Sequence, residues 1–221
     1  MPRTTPSSLP SKVLIIVARR YNGNELWTTL GILHARGNAF YVASTALEIV
    51  DEVTGQHNRI QSLIKDIEDC KLFDALMVIS GDMADTELYW NDPKVQSLVQ
   101  SFYEYDKPIA AICCSVPTIR LAAKGKKVSY FPLVRSRDLL VKAGAFPQPV
   151  SITVDGTLVT AENQMWSQVW AESFCDVLDG KDPNIHLTDS HFVPGKIERK
   201  PIAQLERLKA IAKATGRTRI K

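Results

Sequence analysis

The stretch Lys107-Pro-Ile-Ala-Ala-Ile-Cys-Cys-Ser-Val-Pro-Thr118 decides how this chain is read. Ile109 to Ile112 is a short continuous apolar run, suited to a strand buried on both faces. Val116 to Ala123 continues with helical spacing, Ile119, Leu121 and Ala122 being apolar. Cys113 therefore falls where a strand turns into a helix. A side chain in such a turn points out of the carboxyl edge of the sheet, where first-turn N–H groups and the positive end of the helix stabilise a thiolate. An inert buried thiol is the competing reading, because free cysteine is among the most buried residue types. Position alone leaves both open.

Outward from this turn, strand and helix alternate. Val13 to Ala18 is a continuous apolar strand, and Asn24 to Arg36 reads as a helix with Leu26, Leu30 and Leu33 on one face, closed by Gly37. Ala39 to Ala43 is a second strand, and Leu47 to Val53 a short strand-like piece. Ile60, Leu63, Ile64 and Ile67 predict a helix from about Asn58 to Cys70. Ala75 to Ser80 is the next buried strand, broken by Gly81, and Pro93 to Glu104 is a helix leading into the Ile109 strand. Val150 to Asp155 and Thr157 to Thr160 flank Gly156 as a hairpin. A helix follows from about Met165 to Leu178. The alternation predicts an α/β fold, a mostly parallel sheet with helices on both faces in a flavodoxin-like sandwich.

A chain of 221 residues, 45% hydrophobic, suits one substantial core with extensions. Residues 1–11, rich in Pro, Ser and Thr and without an acid, read as a disordered lead; 12–180 form the domain and 181–221 a C-terminal extension. No apolar run approaches the ~20 residues of a membrane span. The four cysteines, Cys70, Cys113, Cys114 and Cys175, have neither zinc-ligand spacing nor the density of a secreted disulfide scaffold, so no metal and a reducing cytoplasm are expected. The net charge of +3 hides an asymmetry. From Lys196 to Lys221 nine Lys and Arg face two Glu, a balance of +7 that leaves −4 for the rest. Ile202, Leu205, Leu208, Ile211 and Ala212 recur there at helical spacing after Pro201, predicting a basic amphipathic helix that packs on the domain or a partner subunit. Nucleic acid is not the expected partner, since no stacking aromatic follows Phe192.

In such sheets ligands bind at the carboxyl ends of the strands. That rule gathers the loops Arg19 to Glu25, Gly81 to Asp92 and Cys113 to Val116 into one place. Glu25, in the first turn of the first helix, has a mild dipole role in any helix. Beside a reactive cysteine a carboxyl group in a partly desolvated cleft also holds a proton and acts as acid or base.

Lys-Pro-Ile-Ala-Ala-Ile-Cys113, Phe73-Asp-Ala-Leu-Met-Val-Ile-Ser-Gly81, the opening Asn24-Glu25-Leu and Asp155-Gly-Thr-Leu-Val-Thr-Ala-Glu-Asn163 resemble, in this order, the ThiJ/PfpI superfamily of the class I glutamine-amidotransferase-like fold. The similarity runs from about Val13 to Leu178. Asp92-Pro-Lys-Val, Tyr103-Glu-Tyr-Asp-Lys-Pro and Val-Thr-Ala-Glu-Asn163 are most similar to the branch with glyoxalase III and heat-shock-chaperone members. The resemblance implies Cys113 as nucleophile, Glu25 as the carboxyl bonded to it, and the N–H groups of Gly81 and Cys114 as an oxyanion hole. It also implies a homodimer, and it brings no cofactor.

The chain departs from the family at its third catalytic member. Many relatives place a histidine directly after the nucleophile, where this chain has Cys114; others carry one after the following strand, where it reads Ser129-Tyr130-Phe131-Pro132. Gly81-Asp82-Met83 also lacks the family's paired glycines. His57, in the Gly55–Asn58 loop, is the histidine with a route to the site, although an exposed loop role is its plainer reading; His34, His186 and His191 read as surface residues. A peptidase route needs an acid for a poor amine leaving group and lacks its usual donor here. Hydration or isomerisation of a small-molecule electrophile such as methylglyoxal is less demanding. Two further classes stand beside that enzyme: a redox or stress-response protein in which Cys113 oxidises to a sulfinate capped by Glu25 and the neighbouring Cys114 offers an alternative fate, and a non-catalytic interaction protein. The aromatics Trp27, Tyr89, Trp90, Tyr130 and Trp166 fall near the predicted mouth, as pocket lining or as ordinary core.

Overall fold

The computed structural model describes residues 10–183, which lie within one compact unit. The basic helix expected after Pro201 and nearly all of the N-terminal lead lie outside the described residues. The central sheet has seven strands, in the spatial order Ile152–Asp155, Leu158–Ala161, Ile109–Ile112, Ala75–Ile79, Lys12–Val17, Ala39–Ser44 and Ser62–Leu63. All neighbours run parallel except the first pair, the antiparallel hairpin. Val13 to Val17, Leu76 to Ile79 and Ala110 to Ile112 are without solvent exposure, the signature of strands covered on both faces.

Alternation along the strands divides the core. Leu14, Ile16, Leu76, Val78, Ile109 and Ala111 belong to one cluster with Val95, Leu98, Val99 and Phe102 of the helix Pro93–Glu104 (α3 of five among the described residues). The first described helix, α1 (Gly23–Ala35), packs on the last one among the described residues, α5 (Ser167–Leu178). Between them in sequence stand α2 (Met83–Asn91) and α4 (Val134–Lys142). The α3 boundaries expected from sequence are reproduced: Pro93 occupies the first turn, and Asp92 caps it by accepting from the Val95 N–H at 2.9 Å.

Three local expectations change, and one helix, α4, was not expected. Residues 58–70 form no α-helix. His57–Arg59 pairs antiparallel with Glu48–Asp51, Ser62–Leu63 adds to the edge of the central sheet, and short 3₁₀ turns follow at Ile64–Asp66 and Cys70–Leu72. The residues buried there are Ile64, Ile67 and Cys70, a period of three that tight turns satisfy and a 3.6-residue helix does not. Gly81 to Asp92 is not a plain loop but contains α2, whose N-terminus the Asp82 side chain caps; its buried stripe of Thr86, Tyr89 and Trp90 is too polar to read as a core face. Helix α4 has only Ser136 and Leu140 buried and gave no apolar period to detect. After Cys113 the chain runs as a 3₁₀ helix, Cys113–Ile119, with further i to i+3 bonds through Ala123, because Pro117 inside it has no N–H to give.

The first strand is the switch point. From it the chain moves outward through Ala39–Ser44 to Ser62–Leu63, then returns to its other side at Ala75–Ile79. In register, Val17 lies opposite Ile79 and Val78 opposite Ala111, so the loops after these three strands emerge side by side. At the opposite, amino end of these strands Phe102 of α3 is fully buried in the core cluster, with the Lys107 ammonium over its ring. Phe102→Ala is expected to cost about 3–5 kcal/mol, read as a lower urea midpoint at unchanged m-value; a loss below about 1 kcal/mol would contradict that packing.

Candidate functional site

Four residues singled out from sequence, Cys113, Cys114, Gly81 and Glu25, meet at this carboxyl edge. Cys113 adopts φ 59°, one of two non-glycine residues with positive φ among the described residues. A strained backbone at a strand-to-helix turn is the geometry of a nucleophile elbow. The turn is fastened from below: the Ser115 hydroxyl donates to the carbonyls of Val78 at 2.8 Å and Ile112 at 2.7 Å, and the Trp90 indole N–H donates to the Cys114 carbonyl at 2.9 Å. Trp90 and Tyr89, whose hydroxyl donates to the Val17 carbonyl at 2.9 Å, therefore act as fasteners of the edge. Cys113 is half-buried, whereas Cys114 is 2% exposed.

Glu25 has no solvent exposure. The N–H of Ser80 donates to its Oε2 at 2.9 Å, and the Ser80 hydroxyl lies 2.8 Å from Oε1 and 2.7 Å from Oε2. Its hydrogen bonds thus go to Ser80, and its link to the cysteines is electrostatic. Burial pushes the Glu25 carboxyl up to about 8; the Ser80 bonds pull the other way, and Cys114 and Glu52 add to the rise. Asn22 holds the helix in place. Its Oδ1 accepts from the Glu25 N–H at 3.2 Å, and its Nδ2 donates to Glu52 Oε1 at 2.9 Å and Gln164 Oε1 at 2.5 Å. One side chain so joins the mouths of three loops.

Gly81 is a close approach of backbones. A Cβ there would stand 1.9 Å from the Arg20 carbonyl oxygen, so no larger residue fits without displacing the first loop. Its N–H donates to Thr86 Oγ1 at 3.1 Å, and its carbonyl accepts from the Cys114 thiol at 3.6 Å. The Cys114 N–H lies toward the Cys113 sulfur. Both amides expected to form an oxyanion hole are thus engaged within the resting site.

The two sulfurs divide the charge unequally. Cys114 is pulled down to about 7, first by its interaction with the Cys113 thiol; burial opposes this, while the Thr86 hydroxyl, the Gly81 N–H and the Ser80 hydroxyl favour it. Cys113 is pushed up, first by Cys114, then by burial and by Glu25. One proton leaves this pair readily and the second is held. The charge is stabilised by individual donors, since a seven-residue 3₁₀ turn contributes little dipole. Ser80 and Thr86 are members of the site that the sequence reading did not single out; only the polar run after the Ala75 strand pointed toward them.

Neither histidine among the described residues reaches the site. His57 Nδ1 pairs with Glu48 Oε1 at 2.5 Å on the three-stranded side sheet, and His34 is exposed in the last turn of α1. No helix among the described residues is long and apolar enough to cross a membrane.

A strained cysteine elbow facing a buried carboxyl across the switch point of a parallel sheet defines a class of α/β proteins, and sequence comparison places the chain within it. The profile of the DJ-1/PfpI family matches residues 11–175, and the chain belongs to that family. An uncharacterised protein of Methanocaldococcus jannaschii is 28% identical over 163 residues, covering 72% of this chain and 78% of the relative. One from Archaeoglobus fulgidus is 30% identical over 153 residues, covering 68% and 88%. Among solved structures, a ThiJ/PfpI domain protein from Brachyspira murdochii superposes with a TM-score of 0.71 at 20% identity, over 78% of this chain and 99% of that one.

The buried carboxyl sets a pH signature. Its pKa is raised from 4.5 to about 8 in the folded state, so between those values the native protein binds the proton that the unfolded chain has lost, and stability falls as pH rises through that window. Relative to Glu25→Gln, the wild type is expected to lose unfolding free energy progressively from pH 4.5 to 8. Parallel stability curves for the two proteins in urea titrations would show that Glu25 is not held protonated.

Proposed function

We propose that this chain is a cysteine-dependent enzyme acting on small reactive electrophiles, by glyoxalase III-like, cofactor-independent conversion of methylglyoxal-type carbonyls, and that it works as a homodimer like members of its family. The observation that carries the reading is a carboxyl group without solvent exposure, poised near neutrality, within electrostatic reach of a half-buried cysteine on a strained elbow. A group with a pKa near the working pH both accepts and returns a proton. The four free cysteines suit the reducing cytoplasm expected from composition.

In this scheme the Cys113 sulfur adds to the aldehyde carbon and its proton goes to the resulting oxygen, giving a hemithioacetal. Glu25 removes the proton from that carbon and returns it to the neighbouring carbonyl carbon, leaving a thioester. Water then adds to the thioester and restores the Cys113 thiol, so that the dicarbonyl and one water become a hydroxy acid. No external oxidant or reductant enters. The amides of Gly81 and Cys114 exchange their resting partners for the developing oxyanion, whose charge a preorganised pair of donors stabilises. A leaving amine never needs protonation, which is why the scheme tolerates the missing histidine.

Purified protein is expected to consume methylglyoxal or glyoxal without added glutathione, metal or nucleotide. Cys113→Ser and Glu25→Gln are each expected to lower turnover by at least ~10²-fold with far-UV circular dichroism unchanged. Full turnover in folded Cys113→Ser would sink the mechanism.

A further inference from the structure

The chemistry above uses the Cys114 amide and leaves its thiol without a task. That thiol is nonetheless built into the site. It donates to the Gly81 carbonyl at 3.6 Å, interacts with the Cys113 sulfur, and is closed off from solvent while Cys113 is partly open. The other two thiols lie elsewhere: Cys70 sits by Lys107, which donates to its carbonyl at 3.1 Å, and the Cys175 sulfur accepts from Asn38 Nδ2. Burial pushes Cys175 up to about 11, so it stays protonated at neutral pH. A small oxidant entering the mouth therefore meets Cys113 first, and the nearest thiol to any product formed there is Cys114.

We propose that Cys113 and Cys114 form a peroxide-reducing dithiol, in which a hydroperoxide oxidises Cys113 to a sulfenic acid and Cys114 closes a disulfide with it that an external thiol reopens. In the first step the Cys113 thiol gives its proton to the neighbouring Cys114 thiolate as its sulfur attacks the distal peroxide oxygen, the O–O bond breaks, and the leaving alkoxide or hydroxide takes that proton, so that Cys114 is again a thiolate. In the second, the Cys114 sulfur attacks the Cys113 sulfur and the S–O bond breaks, releasing water. Two equivalents of a small thiol, or one dithiol, then reduce the disulfide by exchange.

Three features support the second step. The attacking sulfur is one residue away, so no loop must close. The Thr86 hydroxyl and Gly81 N–H favour its thiolate, the form that attacks. Cys114 is already held beside the Cys113 sulfur, whereas an external thiol must first enter the mouth to reach it. The product is strained, because adjacent Cα atoms stand ~3.8 Å apart while relaxed disulfides span ~4.4–6.8 Å. A strained bridge is readily reduced, so the pair cycles instead of locking. Rapid closure also protects Cys113 from the second oxidation that yields a sulfinate.

The test is the product of oxidation in the full-length protein, and it requires no carbonyl turnover. Reduced protein is titrated with hydrogen peroxide, one equivalent sufficing for a disulfide and two being needed for a sulfinate, and analysed by intact mass and non-reducing peptide mapping. The expected result is loss of two hydrogens on the peptide carrying Cys113 and Cys114, reversed by a monothiol. Cys114→Ala and Cys114→Ser are expected to gain two oxygens at Cys113 instead, unreversed by thiol. Wild-type protein that passes directly to the sulfinate, with no species lacking two hydrogens, would overturn the proposal whether or not the variants fold. Hydrogen loss that persists in a folded Cys114 variant, or that maps to Cys70 or Cys175, would overturn it equally.

Discussion

A carboxyl group without solvent exposure is costly unless something bonds to it, and at this sheet edge the partner is Ser80, through its N–H and its hydroxyl. Those bonds tie the first turn of α1 to the end of the Ala75–Ile79 strand, 55 residues later in sequence. They span the place where the strand order reverses. The Asn22 N–H donates to the Ser80 carbonyl at 2.9 Å and the Asp82 N–H to the Arg20 carbonyl at 2.8 Å, so the two loops are stitched along their backbones as well. Glu25 is thereby fixed in the wall of the cleft, and burial, opposed by the Ser80 bonds, leaves it near neutrality.

The elbow depends on that wall. Cys113 bears an unfavourable backbone conformation, sustained because Ser115 and Trp90 bind the residues around it to neighbouring elements. What faces it is an unusual electrostatic set. A carboxyl group and two thiols share a space too small for three charges, and the donors cluster at Cys114. The thiol of Cys114, directly after Cys113, is thus coupled to the Cys113 proton.

The sheet was legible because its strands are buried on both faces and read as unbroken apolar runs, Val13 to Ala18 and Ile109 to Ile112 above all. Helices with a clean apolar stripe or a proline start, α1 and α3, were legible for the same reason. The helix expected at 58–70 failed because Ile64, Ile67 and Cys70 are buried at intervals of three across successive turns. Helices α2 and α4 escaped because few of their residues are apolar and buried. At the site, Cys113 and Glu25 were visible from position within the alternation and from family likeness. The dependence of Glu25 on Ser80 was not, since a contact between residues 55 apart leaves no local pattern. Nor were the contacts of the Cys114 thiol, because sequence order says which residue follows Cys113 and not where its side chain points.

The central claim, that Cys113 is the reactive sulfur and that Glu25 acts on it through space, is tested most directly by the pH dependence of alkylation. Native protein and folded Glu25→Gln are treated with iodoacetamide over a range of pH, and each cysteine is followed by mass spectrometry. The account predicts Cys113 labelled ahead of Cys70 and Cys175, and a faster rate in the variant above about pH 8, where wild-type Glu25 becomes an anion that holds the Cys113 proton. Labelling of Cys113 no faster than the two buried thiols, or superimposable pH profiles in the two proteins, would contradict it.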